Sequence, residues 1–268
     1  MNKAVSVNFS KIKLSVLATP LVLIVLIVLV LYLNSVTSVE SYVSFQKEYF
    51  IKINSELSKF PILQKNLTEC GDTLVVFCLF SVFLFKAPKL WEGLLLGSLI
   101  SGVFSNILKA VFSVPRPAAM YDNNEFVIIG ESLVGHNSLP SGHSITVFVG
   151  ISILMFSFMP FKRIQKVLWC AFLLIIGIVL IFTRVGVGAH YPLDVIFGGL
   201  IGFISGVLGI YLSNKTNVLH RLIQYRSHPI TLLLLIVCTV ILGFKIYKDN
   251  LLIYFISLSF ILYTIFLF

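Results

Sequence analysis

Charge is scarce in this chain. Of its 268 residues only 12% are Asp, Glu, Lys or Arg, against 58% hydrophobic, and the mean hydropathy is +1.01. A soluble domain of this length cannot be clothed by so few charges, so the chain reads as an integral membrane protein. The four cysteines, Cys70, Cys78, Cys170 and Cys238, form no CxxC pair and three of them fall inside apolar runs. That argues against a disulfide framework or a zinc site and leaves them as small apolar helix residues. Acids are rarer still, 11 against 20 Lys and Arg, for a net charge of +9. In a soluble protein that balance suggests nucleic acid. Here the basic residues sit in short links between apolar runs, so membrane topology accounts for them and no nucleic-acid partner is expected. There is no internal repeat.

What the chain has is long apolar runs. After the polar residues 1–13, Leu14 to Leu33 is long enough to span a bilayer and too long for the core of a signal peptide, which predicts an uncleaved first helix. Residues 34–69 space Glu40, Lys47, Glu48, Lys52, Glu56, Lys59, Lys65 and Glu69 among Tyr, Phe and Leu, which predicts an amphipathic segment lying on the membrane. Further runs follow at 73–85, 90–112, 144–159, 167–182, 192–212, 230–244 and 251–268, so eight helices are expected in all. The fold class is therefore all-α, a polytopic transmembrane helix bundle. Residues 1–71 read as anchor helix and interfacial segment, 72–212 as the central helix bundle, and 213–268 as two extra C-terminal membrane helices, with the last two runs open to a re-entrant reading.

With the N-terminus inside, the cytoplasmic segments collect Lys3, Lys11, Lys13, Lys86, Lys89, Lys162, Arg163, Lys166, Lys215, Arg221 and Arg226 against the single acid Glu92. The opposite face holds the other ten acids. This asymmetry satisfies the positive-inside rule and places 113–141 and 183–191 outside.

Three polar clusters then share that outer face. Lys109 is followed seven residues later by Arg116-Pro117; Asn137-Ser-Leu-Pro-Ser-Gly-His143 is a turn-forming heptad that opens an apolar run; Thr183-Arg184 leads to His190 six residues after the Arg and Asp194 four after the His. Ionisable groups at the ends of membrane helices cost free energy unless they face a polar cavity, so they are functional candidates. Taken singly, Lys109 or Arg116 could snorkel to headgroups, and either His could cap a helix or sit at the interface. Asp194 lies inside an apolar run and needs a partner, and His190 stands one helical turn away. A carboxylate accepting from one ring nitrogen fixes the tautomer and frees the other nitrogen to attack, which makes His190 a nucleophile for phosphorus. Lys109, Arg116 and Arg184 suit the equatorial oxygens of a transferring phosphoryl group, with hydrogen bonds added by Ser141 and the Gly142 N–H. His143 then serves as general acid to the leaving group and as base to the attacking water. Such a cationic cradle can do what a metal does elsewhere, so neither metal nor cofactor is expected.

These clusters resemble the type 2 phosphatidic acid phosphatase (PAP2) superfamily, whose pattern is Lys-x6-Arg-Pro, then Pro-Ser-Gly-His, then Ser-Arg-x5-His-x3-Asp. All three parts are met in order and spacing: Lys109-AVFSVP-Arg116-Pro117, Pro140-Ser141-Gly142-His143, and Thr183-Arg184-VGVGA-His190-YPL-Asp194. Thr183 replaces the usual Ser and keeps the hydroxyl. The resemblance covers roughly 72–212 and implies a six-helix core, His190 as nucleophile, His143 as acid/base, Asp194 as orienter, and Lys109, Arg116, Ser141, Gly142 and Arg184 as phosphate binders.

The expected function is hydrolysis of a membrane lipid phosphate at the periplasmic face of a bacterial inner membrane. Lipid A or undecaprenyl pyrophosphate is preferred as substrate because the long 113–141 loop could cover a large headgroup, with glycerolipid phosphates also possible. A phosphotransferase using the same phosphohistidine, or a non-enzymatic protein that binds anionic lipid headgroups, are the alternatives. Asp122-Asn-Asn-Glu125 lacks the Gly and ligand count of a calcium loop and reads as solvated. His136, His220 and His228 are assigned no role.

Overall fold

The computed structural model describes residues 1–122, 124–216 and 229–267; Arg221, Arg226, His220 and His228, and Asn123 of the acidic loop, lie outside them. The order is α1 (Asn2–Ser10), α2 (Ala18–Leu33, after a 3-10 turn at Leu14–Leu17), α3 (Val39–Leu57), α4 (Pro61–Glu69), α5 (Thr73–Phe80), α6 (Phe83–Lys86), α7 (Pro88–Phe112), α8 (Pro117–Met120), α9 (Gly142–Ser157), α10 (Arg163–Gly186), α11 (Pro192–Lys215), α12 (Pro229–Asp249) and α13 (Leu252–Phe266). No strand occurs among the described residues. Among the described residues five segments are long and apolar enough to cross a membrane, Leu14–Leu33, Pro88–Met120, Arg163–Gly186, Pro192–Lys215 and Pro229–Asp249, with shorter apolar helices at Gly142–Ser157 and Leu252–Phe266. The expected run at 73–85 is divided, since helix stops after Phe80 and resumes at Phe83.

These helices are sorted by what their faces can bury. In α10, Leu173, Gly177, Ile181 and Arg184 are buried at helical spacing, while Val167, Phe172, Ile175 and Val179 stay exposed. An outward face as apolar as the inward one is that of a helix facing lipid. Between such helices there is little hydrophobic drive, so close backbone approach does the work. The centre of the bundle is α11, which meets α7 and α9 along a glycine face. A Cβ on Gly202 would stand 2.9 Å from the Phe148 side chain and strike the Ile145 carbonyl; one on Gly198 would stand 2.6 Å from the Ser141 carbonyl. Gly198 thus lets the start of α9 dock on the start of α11, where the Ser141 N–H donates to the Asp194 carbonyl at 3.1 Å.

The two ends of the bundle differ. At one end the N-terminal helix meets the start of α7 and the end of α9. Asn2 Oδ1 accepts from the Lys89 N–H, Asn8 Nδ2 donates to the Ser157 and Met159 carbonyls, and buried Lys89 pairs with fully buried Glu92 and donates to the Ser213 carbonyl. The other end carries the three sequence clusters. The chain's last two described helices run antiparallel between these ends. Lys65 bonds Asp249 at the cluster end, and Lys86 donates to Tyr263 at the other. The four cysteines are free thiols.

The segment expected to lie on the membrane packs one face against the bundle. α3 is amphipathic, with Tyr42, Val43, Gln46, Phe50 and Asn54 buried, but that stripe faces protein. Its polar members explain why: buried amide groups need hydrogen-bond partners that lipid does not offer. Asn54 finds four, donating to the carbonyls of Val127, Val185 and Gly186 and accepting from the Val127 N–H at 2.8 Å. α3 and α4 therefore form a layer over the cluster end.

Candidate active site

Each cluster is presented by a helix terminus. Lys109 lies in the last turn of α7, which ends at Ser113 in a left-handed conformation (φ 45°). The chain then runs through Arg116 into α8. Ser141 caps α9, its Oγ accepting from the Ser144 N–H at 3.4 Å and the Ser144 hydroxyl at 3.0 Å. At the third cluster the Arg184 carbonyl accepts from the N–H groups of Ala189 and His190, and Gly188 turns at φ 78° against the Val127 carbonyl. Pro192 then opens α11 at its first position, and Asp194 reaches back to accept the Tyr191 N–H at 3.1 Å.

The expected pair His190 and Asp194 comes together at full burial, but not in a hydrogen bond. Nδ1 and Oδ2 stand 3.7 Å apart. Ser138 lies between them: its hydroxyl donates to Asp194 Oδ2 at 2.6 Å and its Oγ is 3.2 Å from His190 Nδ1. A hydroxyl that gives its proton to a carboxylate accepts from its other neighbour, so Nδ1 carries the imidazole proton. The opposite nitrogen agrees, since Nε2 faces Arg116 Nη1 at 3.4 Å and a guanidinium only donates. Nε2 therefore holds a free lone pair beside a fixed cation.

Arg116 is held by Asn137 Oδ1, which accepts from Nε at 2.8 Å, and by the Ala189 carbonyl at 3.3 Å. Arg184 is buried, its Nη1 donates to Thr68 Oγ1 on α4 at 2.9 Å, and its Nε has no partner among the described residues. Lys109 Nζ points at Gly142, 3.6 Å from where a Cβ there would lie. Burial pushes the His190 imidazole well below its ordinary value of 6.5, helped by the positive charges of Arg116, Arg184 and Lys109, so the ring is neutral. His143 sits in the first turn of α9, packed against Gly71, and its ring makes no hydrogen bond among the described residues. It lines a cavity of about 440 Å³ with Gly142, Asp72, Thr73, Ser101 and Asn106, which runs from the site along α7.

Sequence reasoning missed the groups that hold these residues in place. Ser138 and Asn137 lie in the heptad, unassigned. Tyr42, Gln46 and Thr68 lie in the surface layer: Tyr42 donates to Asp194 Oδ1 at 2.8 Å, Gln46 Oε1 accepts from the Leu193 N–H at 2.7 Å, and Thr68 meets Arg184. Behind His190, Phe50, Tyr121, Phe126 and Tyr191 form an aromatic cluster with ring centroids 5.1 to 6.0 Å from Phe50. Burial pushes the Tyr121 phenol up to about 12.

The sequence model of the PAP2 superfamily matches residues 90–218. A lipid A 1-phosphatase of Rhizobium etli is 33% identical over 171 residues, covering 53% of this chain and 68% of that protein. Phosphatidylglycerophosphatase B of Haemophilus influenzae is 25% identical over 210 residues, covering 60% of this chain and 86% of that protein. The bacitracin transport permease protein BcrC of Bacillus licheniformis is 29% identical over 125 residues, covering 47% of this chain and 56% of that protein, so the match spans a little over half of its length. Among solved structures, Aquifex aeolicus LpxE aligns with a TM-score of 0.50 at 27% identity, covering 62% of this chain and 95% of that one.

Proposed function

The chain belongs to the PAP2 superfamily, and on that premise we propose that it hydrolyses a phosphate ester or anhydride carried by a membrane lipid, through a phosphohistidine on His190. The observation that carries this reading is the setting of His190: buried, with Nδ1 3.2 Å from the Ser138 hydroxyl and Nε2 3.4 Å from Arg116 Nη1.

In the first step Nε2 attacks phosphorus and the bond from phosphorus to the lipid oxygen breaks, while His143, protonated beside the bound phosphate's negative charge, gives that oxygen its proton and becomes neutral. The imidazole gains positive charge as the N–P bond forms, and the Ser138–Asp194 arm takes up that charge at Nδ1. Arg116, Arg184 and Lys109 compensate the equatorial oxygens, which is most of what phosphoryl transfer asks of a protein. In the second step water loses a proton to His143 and attacks phosphorus, the P–N bond breaks, and inorganic phosphate leaves with His190 restored. The three cations supply the charge a metal would, so activity is expected to persist in a chelator. Ser141 contributes chiefly as the cap that aims Gly142 and His143, its hydroxyl proton remaining free for a phosphoryl oxygen.

The substrate class follows from the surroundings. The cavity beside His143 opens along a membrane helix, which suits a lipid whose phosphate rises to the cluster end while its tail stays in the bilayer. Two relatives are named as lipid A 1-phosphatases and one as phosphatidylglycerophosphatase B, which favours a glycolipid phosphate first and a glycerolipid phosphate second. The charge asymmetry supports a periplasmic site in an inner membrane. The test is purified protein in detergent micelles with a panel of labelled lipid phosphates and water as the only acceptor. Release of inorganic phosphate is expected, fastest from the 1-phosphate of lipid A; release only when an acceptor lipid is added would make the protein a transferase.

A further inference from the structure

Tyr42 stands 152 residues from Asp194 in the chain and outside the segment matched by the family, yet its phenol donates to Asp194 Oδ1 at 2.8 Å. The carboxylate is fully buried, so each of its oxygens needs a donor. Oδ2 has two, the Ser138 hydroxyl at 2.6 Å and the Tyr191 N–H at 3.1 Å; Oδ1 has only Tyr42 among the described residues. Three donors on two oxygens fix the plane of the carboxylate. Take away the one on Oδ1 and the group is free to turn that oxygen toward Ser138 or Tyr191, so the arm that holds the His190 proton loses its single geometry.

Tyr42 is itself secured for this task. The Ser38 side chain caps α3 at Ser41, and the buried ring is 7% exposed. Gln46, one turn on, donates to the Tyr42 carbonyl at 3.1 Å and accepts from the Leu193 N–H at 2.7 Å, the residue before Asp194. The phenol is held well above its ordinary value, by burial first and then by the charge of Asp194, so it remains a donor. We propose that Tyr42 is a positioning residue for phosphoryl transfer, acting on His190 through Asp194, and that α3 is thereby part of the catalytic apparatus and not only a membrane-surface element. This rests on the reading of His190 as nucleophile.

The experiment compares Tyr42→Phe with the wild type in full-length protein, following phosphate release and single-turnover phosphoenzyme formation. Phe keeps the ring and removes only the donor. Tyr42→Phe is expected to lower kcat by about 10- to 100-fold, the worth of a hydrogen bond to a charged group, with KM within twofold and a lowered Tm, since one buried carboxylate oxygen loses its donor. As a contrast, Thr68→Val, which removes the acceptor of Arg184, should raise KM more than it lowers kcat. A tyrosine that only packs would leave kcat per folded molecule unchanged, and that result overturns the proposal. Should Tyr42→Phe fold too poorly to assay, 3-fluorotyrosine at position 42 carries the test: its shape is nearly the same and its phenol more acidic, so kcat must shift by at least twofold with KM unmoved, and an unmoved kcat overturns the proposal. If the wild type itself releases no phosphate from any lipid, the phosphatase reading has failed, not this inference alone.

Discussion

His190 Nδ1 and Asp194 Oδ2 lie 3.7 Å apart, and the Ser138 hydroxyl fills the gap, 3.2 Å from the one and 2.6 Å from the other. The serine relays the carboxylate's hold on the ring, so its loss and the loss of the carboxylate should differ in size. In Ser138→Ala the ring and carboxylate need close less than an ångström to bond directly. We expect kcat to fall about tenfold, the worth of one charge-assisted hydrogen bond. Asp194→Ala, which strips the ring of its orienting charge, should cost on the order of 10³- to 10⁴-fold. Steady-state kinetics on the two variants check this; equal losses would mean that Ser138 is more than a relay.

The charge state of His190 sets a pH dependence. Its folded value is depressed below 6.5, so as pH falls through 6.5 the unfolded chain takes up a proton that the folded chain refuses. The contribution of this residue to stability is therefore full above 6.5 and is lost as pH drops below it. Catalysis should follow the folded value: the acid limb of kcat/KM, which reports the free enzyme, should lie below pH 6.5. An acid limb at or above 6.5 would show that the ring is charged in the resting protein.

Packing at α11 makes a prediction that does not depend on chemistry. A Cβ at Gly202 strikes the Ile145 backbone, which cannot rotate out of the way as a side chain could. Gly202→Ala should cost at least the 1–3 kcal/mol typical of overpacking, read as a lowered Tm in detergent. Gly243→Ala, on α12 with open space around it, should be neutral or slightly stabilising.

The C-terminal hairpin is tied to the site by Lys245, whose Nζ bonds Glu69 at 3.1 Å and Asp72 at 2.9 Å, while the Tyr254 hydroxyl donates to Glu69 at 2.8 Å. Asp72 caps α5, and Gly71 beside it packs on His143. Lys245→Met leaves two carboxylates without their cation, at a cost of about 1–2 kcal/mol for a pair that is partly exposed. Tm should fall by a few degrees and kcat with it. Lys248→Met, whose pair with Glu131 is exposed, should change neither.

Much of this was legible in the sequence, because the membrane imposes strong rules. The apolar runs predict the long apolar helices to within a few residues at most of their ends. Lys109, Arg116, His143, Arg184, His190 and Asp194 announce themselves as ionisable residues at the ends of apolar helices. Tyr42, Gln46, Asn54 and Thr68 do not, since a polar residue in an amphipathic segment looks the same whether it faces lipid headgroups or a protein interior. Only the tertiary contact, over more than 100 residues of chain, separates the two cases. Ser138 was hidden for another reason. A serine in a turn is ordinary, and nothing in its spacing reveals that it stands between a histidine and an aspartate.

The most direct test of the account is the site of phosphorylation. The full-length protein is mixed briefly with lipid labelled in its phosphate, quenched in alkali and probed for acid-labile label. The wild type should carry label on His190, and His190→Ala should carry none. In His143→Ala any label that forms should form and decay slowly, since the proposed mechanism gives that residue the proton transfers of both steps. Label retained by His190→Ala would contradict the account.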